Sequence, residues 1–252
     1  MRGNIGRGFR APSFSELYSN GVHGGIAAFQ RGSADLSQET SLNIEAGADW
    51  TNGIVDPSAT VYQNRFSNYI YLANTNEIHG PSGLPIYQYQ QANARLRGVE
   101  LGAQWQINQQ WSFKTSYDAV RGKFTATSDR LPLLPADSVT ARVDYQLAGL
   151  GTWEKPRIWG AVRHVRSRDA AGGYEPYSQF DNNSFGTAST DAYTLFSMGG
   201  GVSRKLGNDL YFKADLRIEN LLDEDYRDFL DTYKGYAMSQ GRNAQLNMSI
   251  AF

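Results

Sequence analysis

The sequence contains no cysteine, and this absence removes several classes of site at once. Disulfide cross-links, thiolate metal centres and cysteine nucleophiles are excluded. The formal net charge of −1 at pH 7 excludes the strong positive bias that nucleic-acid binding requires. Histidine is also scarce, with 3 residues in the whole chain. Any metal ligation or acid–base chemistry must therefore use few histidines, supported by carboxylates.

Long hydrophobic runs are missing as well. No apolar stretch approaches the roughly 18 residues that a transmembrane helix needs. The mean hydropathy of −0.50 is typical of a soluble protein. A membrane β-barrel scores equally polar, because half of each strand faces its lumen. The aromatic content of 13% suits the aromatic girdles of such barrels.

The sequence does show a strict alternation of apolar and polar residues, most clearly in the last stretch, Gly241 to Phe252. Successive side chains of a strand face opposite sides of a sheet, so this stretch predicts a strand with one apolar and one polar face. Phe252 ends the apolar face. The apolar set comprises Ala244, Leu246, Met248, Ile250 and Phe252.

The same alternation recurs along the chain and predicts about ten strands. Clear examples cover 42–50, 99–107, 111–119, 139–147 and 210–219. Strands are also expected at 2–10, 58–72, 157–168 and 192–206, although the pattern over 157–168 assigns neither face. Charges of both signs are expected on the polar face: Glu45, Asp49, Glu100, Lys114, Asp118, Arg142, Asp144, Lys213, Asp215, Arg217 and Glu219.

The connections between these strands alternate in length. Residues 51–57, 108–110, 148–156 and 207–209 form short turns. The long connections, which include aperiodic stretches expected to be loops, are 11–38, 73–86, 128–137, 169–190 and 223–240. Outer-membrane barrels have short periplasmic turns and long external loops. A soluble β-sandwich has the same alternation, with its apolar face in a core, and stays open as an alternative.

Several stretches resemble the C-terminal barrel of TonB-dependent outer-membrane receptors. They are Gly8–Tyr18 (GFRAPSFSELY), Gly32–Glu45 (GSADLSQETSLNIE), Ala94–Glu100 (ARLRGVE), Asn220–Tyr226 (NLLDEDY) and Gly241–Phe252.

One position departs from the family pattern, because Gln38 stands where the family usually has proline. The segments Gly21–His23 and Leu131–Pro135 are most similar to the zinc-type branch of the family.

The resemblance implies an all-β fold, a transmembrane antiparallel β-barrel in the bacterial outer membrane. Residues 1–252 would be the C-terminal portion of a larger barrel, with further strands, a plug domain and the TonB-binding box upstream. The implied function is uptake of a scarce solute, with zinc as the first expectation and a ferric siderophore or haem as the second. The metal or metal chelate would be cargo, with no resident cofactor.

The resemblance also implies a set of partners. They are the TonB complex, the plug domain, the barrel assembly machinery, and outer-membrane lipid with lipopolysaccharide; nucleic acid is not among them. No catalytic motif such as G-x-S-x-G is present, so an enzyme is not expected. The alternative is a self-contained small barrel that acts as a passive pore or surface enzyme.

Candidate metal ligands are His23 and His79, which both fall in expected external loops. Neutral imidazole is a common ligand for zinc, and nearby carboxylates would add oxygen ligands. Taken singly, each histidine is better explained as a solvated loop residue. The nearby carboxylates are Glu16, Asp35 and Glu77.

Two further expectations concern the membrane. Arg163, Arg166 and Arg168 form a basic cluster near the expected external rim, which suits lipopolysaccharide phosphates or an anionic chelate. His164 lies among these arginines, a cationic neighbourhood that disfavours a bound cation. By resemblance, the terminal Phe252 is a signal for barrel insertion, and it would serve equally as a girdle aromatic.

Overall fold

The computed structural model describes residues 1–26, 28–149, 151–168, 189–207, 210–231, 234 and 237–251. Twelve strands, one short helix and one 3-10 turn make up these regions. In chain order they are β1 Arg2–Arg10, α1 Phe14–Tyr18, β2 Asn20–His23, the 3-10 turn Gly24–Ile26, β3 Ala28–Arg31, β4 Glu39–Asp49, β5 Val55–His79, β6 Leu84–Gln106, β7 Trp111–Phe124, β8 Ser138–Gln146, β9 Glu154–Val165, β10 Tyr193–Lys205, β11 Tyr211–Glu219 and β12 Asn243–Ala251.

Ten of these strands form one continuous sheet, in the order β1-β4-β5-β6-β7-β8-β9-β10-β11-β12. Each strand pairs antiparallel with the next. This confirms the expected all-β fold and the expected number of long strands. A β-sandwich would need a second sheet packed on the first, and the described residues form one sheet only.

Register keeps the apolar side chains on one face across the whole sheet. Ile5 pairs with Ile44, and Leu216 pairs with Leu246. These side chains are exposed rather than buried in a core; Ile5, for example, is 74% exposed. An apolar surface of this extent is built to contact something other than water. Other exposed members of this apolar face are Val61, Leu101, Val143, Ile158, Met198, Met248 and Ile250.

The opposite, polar face carries the charges that the sequence predicts for it. Glu100 pairs with Asp118, and Lys114 with Arg142. The facing of β9, which alternation leaves open, is fixed by pairing: Arg163 lies opposite Thr140 on the polar face. Ile158 and Val162 therefore lie on the apolar face.

The sheet has a short-turn end and a long-loop end. The connections 50–54, 107–110, 147–153 and 206–210 lie at one end, as the sequence predicts. At the other end lie 11–38, 125–137 and 220–242, together with a connection between β9 and β10 that falls mostly outside the described residues. Of the helices that the structure describes, none is long and apolar enough to span a bilayer.

Two expectations about loops are wrong. Residues 73–86 are not a loop, because β5 continues to His79 and β6 begins at Leu84, which leaves a four-residue turn between them. Residues 13–38 are not structureless either, since they contain α1, β2, the 3-10 turn and β3. β3 pairs parallel with β6, an arrangement that local alternation cannot reveal. The expected 169–190 loop lies almost wholly outside the described residues.

A small core lies at the long-loop end. Ala94, Phe124, Leu131 and Leu134 are buried together, and Leu131 is 1% exposed. Gly122 makes room for this packing, because a Cβ there would lie 2.7 Å from Leu134 Cδ1. The 125–137 connection is thereby folded against β7 on the Gly122 side, the polar face of the sheet.

Candidate functional site

A pocket on the polar face brings cations and aromatic rings together near the long-loop end. It encloses about 400 Å³. Neighbouring strands deliver its side chains: β8 supplies Arg142, β9 supplies Trp159 and Arg163, and β11 supplies Arg217. We call this site the polar-face pocket. Register is what assembles it, since Gly199 of β10 pairs with both Trp159 and Arg217.

Trp159 is held flat within this pocket. The Arg142 guanidinium carbon lies 4.1 Å from the centre of its ring, a cation–π distance. On the side of β10, a Cβ on Gly199 would lie 2.7 Å from the indole ring. The ring therefore fits only because residue 199 has no side chain.

The arginines of the polar-face pocket differ in their pairing. Arg142 donates to the Asp144 carboxylate, and Arg217 donates to Glu219. Arg163 is exposed, and within the described part of the chain no carboxylate forms an ion pair with it. A planar cation with unsatisfied donors beside an aromatic ring suits an anionic ligand with a flat surface.

The final connection closes one side of the pocket with Tyr226. Asn220 fixes this loop: its amide oxygen accepts from Glu224 N at 2.8 Å, and its amide nitrogen donates to Glu224 O. Burial, reinforced by the nearby Asp228 carboxylate, raises the pKa of Tyr226. Its phenol therefore stays neutral at ordinary pH.

The NLLDEDY stretch that carries part of the family resemblance thus has a structural role. Asn220 adopts φ of +48°, and Asp223 adopts +59°. Asp223 Oδ1 accepts from Arg242 N at 2.7 Å, so the stretch is joined to the start of β12. These two residues shape the loop that presents Tyr226.

The first two family stretches also meet in space. Arg10 donates to Glu16 at 2.9 Å and to Glu39 at 3.2 Å. Glu39 is 9% exposed and also accepts from Ile70 N. We call these three charged residues, Arg10, Glu16 and Glu39, the Arg10 brace. It connects β1, α1, β4 and β5 at the long-loop end.

Glu16 is expected from the sequence to be a possible metal ligand, and the structure gives it another role. It completes a capping box with Ser13 at the start of α1. Burial would raise the pKa of Glu16, but hydrogen bonds from Arg10 and from the Ser13 N–H hold it below its ordinary value. A carboxylate committed in this way is less available to a metal ion.

The two loop histidines lie in ordered structure. His23 is exposed in β2, whereas the His79 ring stacks on Phe29 at 3.8 Å between centres. His79 Nδ1 lies 2.8 Å from Ser82 Oγ, and Glu77 pairs with Arg31 at 3.6 Å. No group of three or more potential ligands that could hold a metal ion occurs among the described residues. Metal ligation by His23 and His79 therefore stays a prediction.

The expected cluster of Arg163, Arg166 and Arg168 is divided by the sheet. Arg163 lies in the polar-face pocket, while Arg166 lies in a different cavity and approaches Asp137 Oδ2 at 3.9 Å. Arg168 is 9% exposed and lies over the Phe229 ring. The three arginines thus lie in two separate basic regions, and binding of an anionic group by them stays a prediction.

The remaining sequence-predicted residues have simpler placements. His164 is exposed on the apolar side of β9, where its Nδ1 lies 2.9 Å from Thr194 Oγ1. Phe252, the expected insertion signal, lies outside the described residues. The sequence did not predict Trp159 or Tyr226 at a site. Trp159 lies four residues before Arg163 and so on the same face of β9, but only pairing with the neighbouring strands shows that this is the polar face.

Comparison with known proteins identifies what this sheet is part of. The family model described as "TonB dependent receptor-like, beta-barrel" matches residues 1–221. Heme/hemopexin utilization protein C of Haemophilus influenzae (strain 86-028NP) is 25% identical over 97% of this chain and 34% of its own length. Vitamin B12 transporter BtuB of Photobacterium profundum is 28% identical over 88% of this chain and 31% of its own length.

Solved structures agree on the fold. The copper transporter OprC matches with a TM-score of 0.73 at 17% identity, over 99% of this chain and 36% of that one. The siderophore receptor PirA from Acinetobacter baumannii matches with a TM-score of 0.63 at 18% identity, over 98% and 38% respectively. The chain spans about a third of the length of the curated relatives it matches.

These matches explain the open sheet. Within a receptor barrel the apolar face contacts lipid, the polar face lines the lumen, and the long loops lie outside the cell. The relatives are receptors and transporters rather than enzymes. The chain belongs to the TonB-dependent receptor β-barrel family and forms part of the wall of a bacterial outer-membrane barrel.

Proposed function

We propose that the complete receptor imports an anionic metal chelate, haem or a ferric siderophore, and that the polar-face pocket contacts this cargo. One observation carries the proposal: Arg163, exposed and without a carboxylate partner among the described residues, stands beside Arg142, Arg217 and Trp159 in one lumen-facing pocket. The polar-face pocket lies near the long loops, where an incoming solute first meets the barrel wall.

The chemistry of the pocket favours this cargo class. Guanidinium groups recognise carboxylates through paired hydrogen bonds, and they also attract anionic oxygen chelators. The flat indole of Trp159 and the phenol of Tyr226 offer surfaces for an aromatic ring. Haem carries its propionate carboxylates on a planar ring, and a ferric catecholate carries its anionic oxygens on planar rings. A bare Zn²⁺ ion would be repelled by the same arginines.

The relatives support this class of cargo but do not identify one cargo within it. The curated relatives carry names for haem and vitamin B12 handling, and solved neighbours include siderophore receptors. Their names point to more than one cargo, so they favour the class rather than one member of it. Zinc, the first expectation from the sequence, gains no support from them, so haem or a ferric siderophore takes first place.

The partners of the family belong to the same proposal. A plug domain would contact the lumen-facing charges, and the TonB complex would supply inner-membrane energy through it. The alternative of a self-contained small barrel requires β1 to pair with β12. Within the described residues, these two strands do not pair with each other.

The experiment is ligand titration of the complete receptor, purified in detergent micelles. Haemin, a ferric catecholate and Zn²⁺ would be titrated separately into wild type and Arg163→Gln. Losing a charge-assisted hydrogen bond should weaken haemin or catecholate binding by about tenfold. Arg166→Gln is the matched control, because it removes the same charge three residues away outside the pocket.

Each outcome has a clear meaning. Equal chelate affinity in Arg163→Gln and wild type would contradict the pocket assignment. Saturable Zn²⁺ binding that is lost in His23→Ala and kept in His164→Ala would instead support the metal site predicted from the sequence.

A further inference from the structure

The apolar face changes to a basic surface near the long-loop end. Along β6 towards the long-loop end, the apolar side chains Leu101 and Val99 give way on the same face to Arg97 and Arg95. Neighbouring strands repeat the change at the same height, because register aligns them. The cations that the ladders align are Arg65 on β5 and Arg121 and Lys123 on β7. Arg166, just beyond the end of β9, lines the same cavity as Arg121 and Lys123.

Three of these cations form a direct row across adjacent strands. Arg65 pairs with Arg95, and Arg95 pairs with Lys123. Like charges opposite each other on a sheet destabilise it. In the part of the chain that the structure describes, none of the three forms an ion pair with a carboxylate. We call this set the outer basic row.

A second tier borders the row and encloses a cavity of about 540 Å³. Arg97 pairs with Arg121, and Arg97 also donates to Gln63 at 2.7 Å. Arg95, Lys123 and Arg166 contribute to the same cavity. Among the described residues that line it, Asp137 is the sole carboxylate. The cavity is therefore strongly cationic.

Asp137 organises this cavity rather than neutralising it. Its side chain is 4% exposed and accepts hydrogen bonds from Arg121, one of them 2.6 Å long. The Arg121 guanidinium lowers the pKa of Asp137, which keeps the carboxylate charged and the arginine fixed. Arg121 is itself 60% exposed, so it presents its outer edge to a ligand while Asp137 holds its inner edge.

We propose that the outer basic row and its cavity bind the phosphate groups of lipopolysaccharide in the outer leaflet. The surface lies on the lipid-facing side of the barrel, directly above the apolar band, at the end that faces outside. Phosphate groups of a membrane lipid lie at this height, and Arg and Lys bind them through charge-assisted hydrogen bonds. The site lies on the opposite side of the wall from the polar-face pocket.

This placement changes the site predicted from the sequence. Of Arg163, Arg166 and Arg168, Arg163 faces the lumen and Arg168 is largely buried against Phe229. Arg166 alone of these three is an exposed side chain that lines the cavity beside the outer basic row. The principal cations, Arg65, Arg95 and Lys123, come from strands that the sequence did not associate with lipid phosphate.

The test is lipid binding by the complete receptor in detergent, measured by native mass spectrometry. The probe is bis-phosphorylated lipid A, compared with enzymatically dephosphorylated lipid A and with inorganic phosphate. Wild type should bind lipid A at least about tenfold more tightly than the dephosphorylated form. The triple variant Arg65→Gln, Arg95→Gln, Lys123→Gln should lose this preference.

Controls separate lipid binding from folding and from transport. Arg204→Gln removes a cation from the same face at the short-turn end, and it should leave lipid A binding unchanged. The double variant Arg65→Lys, Arg95→Lys keeps the charge of the row and should keep most of the binding. Haemin binding should be equal in all these variants, so a failed transport proposal would not affect this test.

Three results would overturn the proposal. They are equal binding of lipid A and its dephosphorylated form, unchanged lipid A binding by the Gln variant, and saturation by inorganic phosphate at the same concentration as lipid A.

Discussion

Gly199 shows how much the lumen wall depends on one missing side chain. An added Cβ would lie 2.5 Å from Leu216 O and 2.7 Å from the Trp159 ring. The backbone oxygen cannot move without disturbing the β10–β11 ladder, whereas the ring can tilt only by leaving Arg142. Gly199 is therefore required by the packing of Trp159 in the polar-face pocket.

We expect Gly199→Ala to destabilise the barrel by about 1–3 kcal/mol, as overpacking does in other tight sites. Thermal unfolding of the complete receptor in detergent, followed by tryptophan fluorescence, measures the change. Gly160→Ala is the matched control, since a Cβ at Gly160 meets nothing within 4 Å. Equal melting temperatures for both variants would show that Trp159 does not need the glycine.

At the scale of elements, the segment between β1 and β4 is held by the Arg10 brace and by a close contact with α1. A Cβ on Gly32 would lie 2.6 Å from the Leu17 carbonyl carbon and oxygen and from Tyr18 N. All three are backbone atoms, so the chain itself would have to move. The glycine at the start of the GSADL stretch is thus required by the docking of α1.

Gly32→Ala should lower the free energy of local opening of this segment by about 1–3 kcal/mol, which raises the opened fraction by roughly fivefold to 150-fold. Limited trypsin digestion of the complete receptor, with cleavage at Arg31 followed by mass spectrometry, reports the opening. Gly24→Ala lies in the same segment with nothing within 4 Å of its Cβ, and it should digest like wild type. Unchanged cleavage in Gly32→Ala would contradict the docking contact.

For the whole molecule, the edges of the sheet matter most. β1 and β12 each pair on one side only within the described residues. Unpaired backbone groups facing lipid cost several kcal/mol each, so a barrel wall needs a partner at both edges. The lipid-facing side chains do not offset this cost, because they contact lipid equally whether or not the edge strand is paired.

A polypeptide of these 252 residues alone should not form the compact, detergent-resistant state of a closed barrel. Gel mobility in SDS with and without heating tests this, with the complete receptor as the control that shifts on heating. A heat-modifiable compact band from the 252-residue polypeptide would contradict the prediction and favour the self-contained barrel.

The sequence by itself determined which residues share a face. Alternation is a local property of a strand, so Leu216 and Leu246 could be assigned to the apolar face, and Glu100 to the polar face, without any partner strand. The order of short and long connections then indicated the membrane barrel, and the quoted stretches indicated its family.

Only the tertiary structure decided which side chains meet. Arg163 and Arg217 are distant in sequence, and they share a pocket because the ladders through β10 set their relative height. The outer basic row exists for the same reason, since its cations come from three strands aligned by register. Register depends on long-range pairing and packing, which a single strand's alternation does not specify.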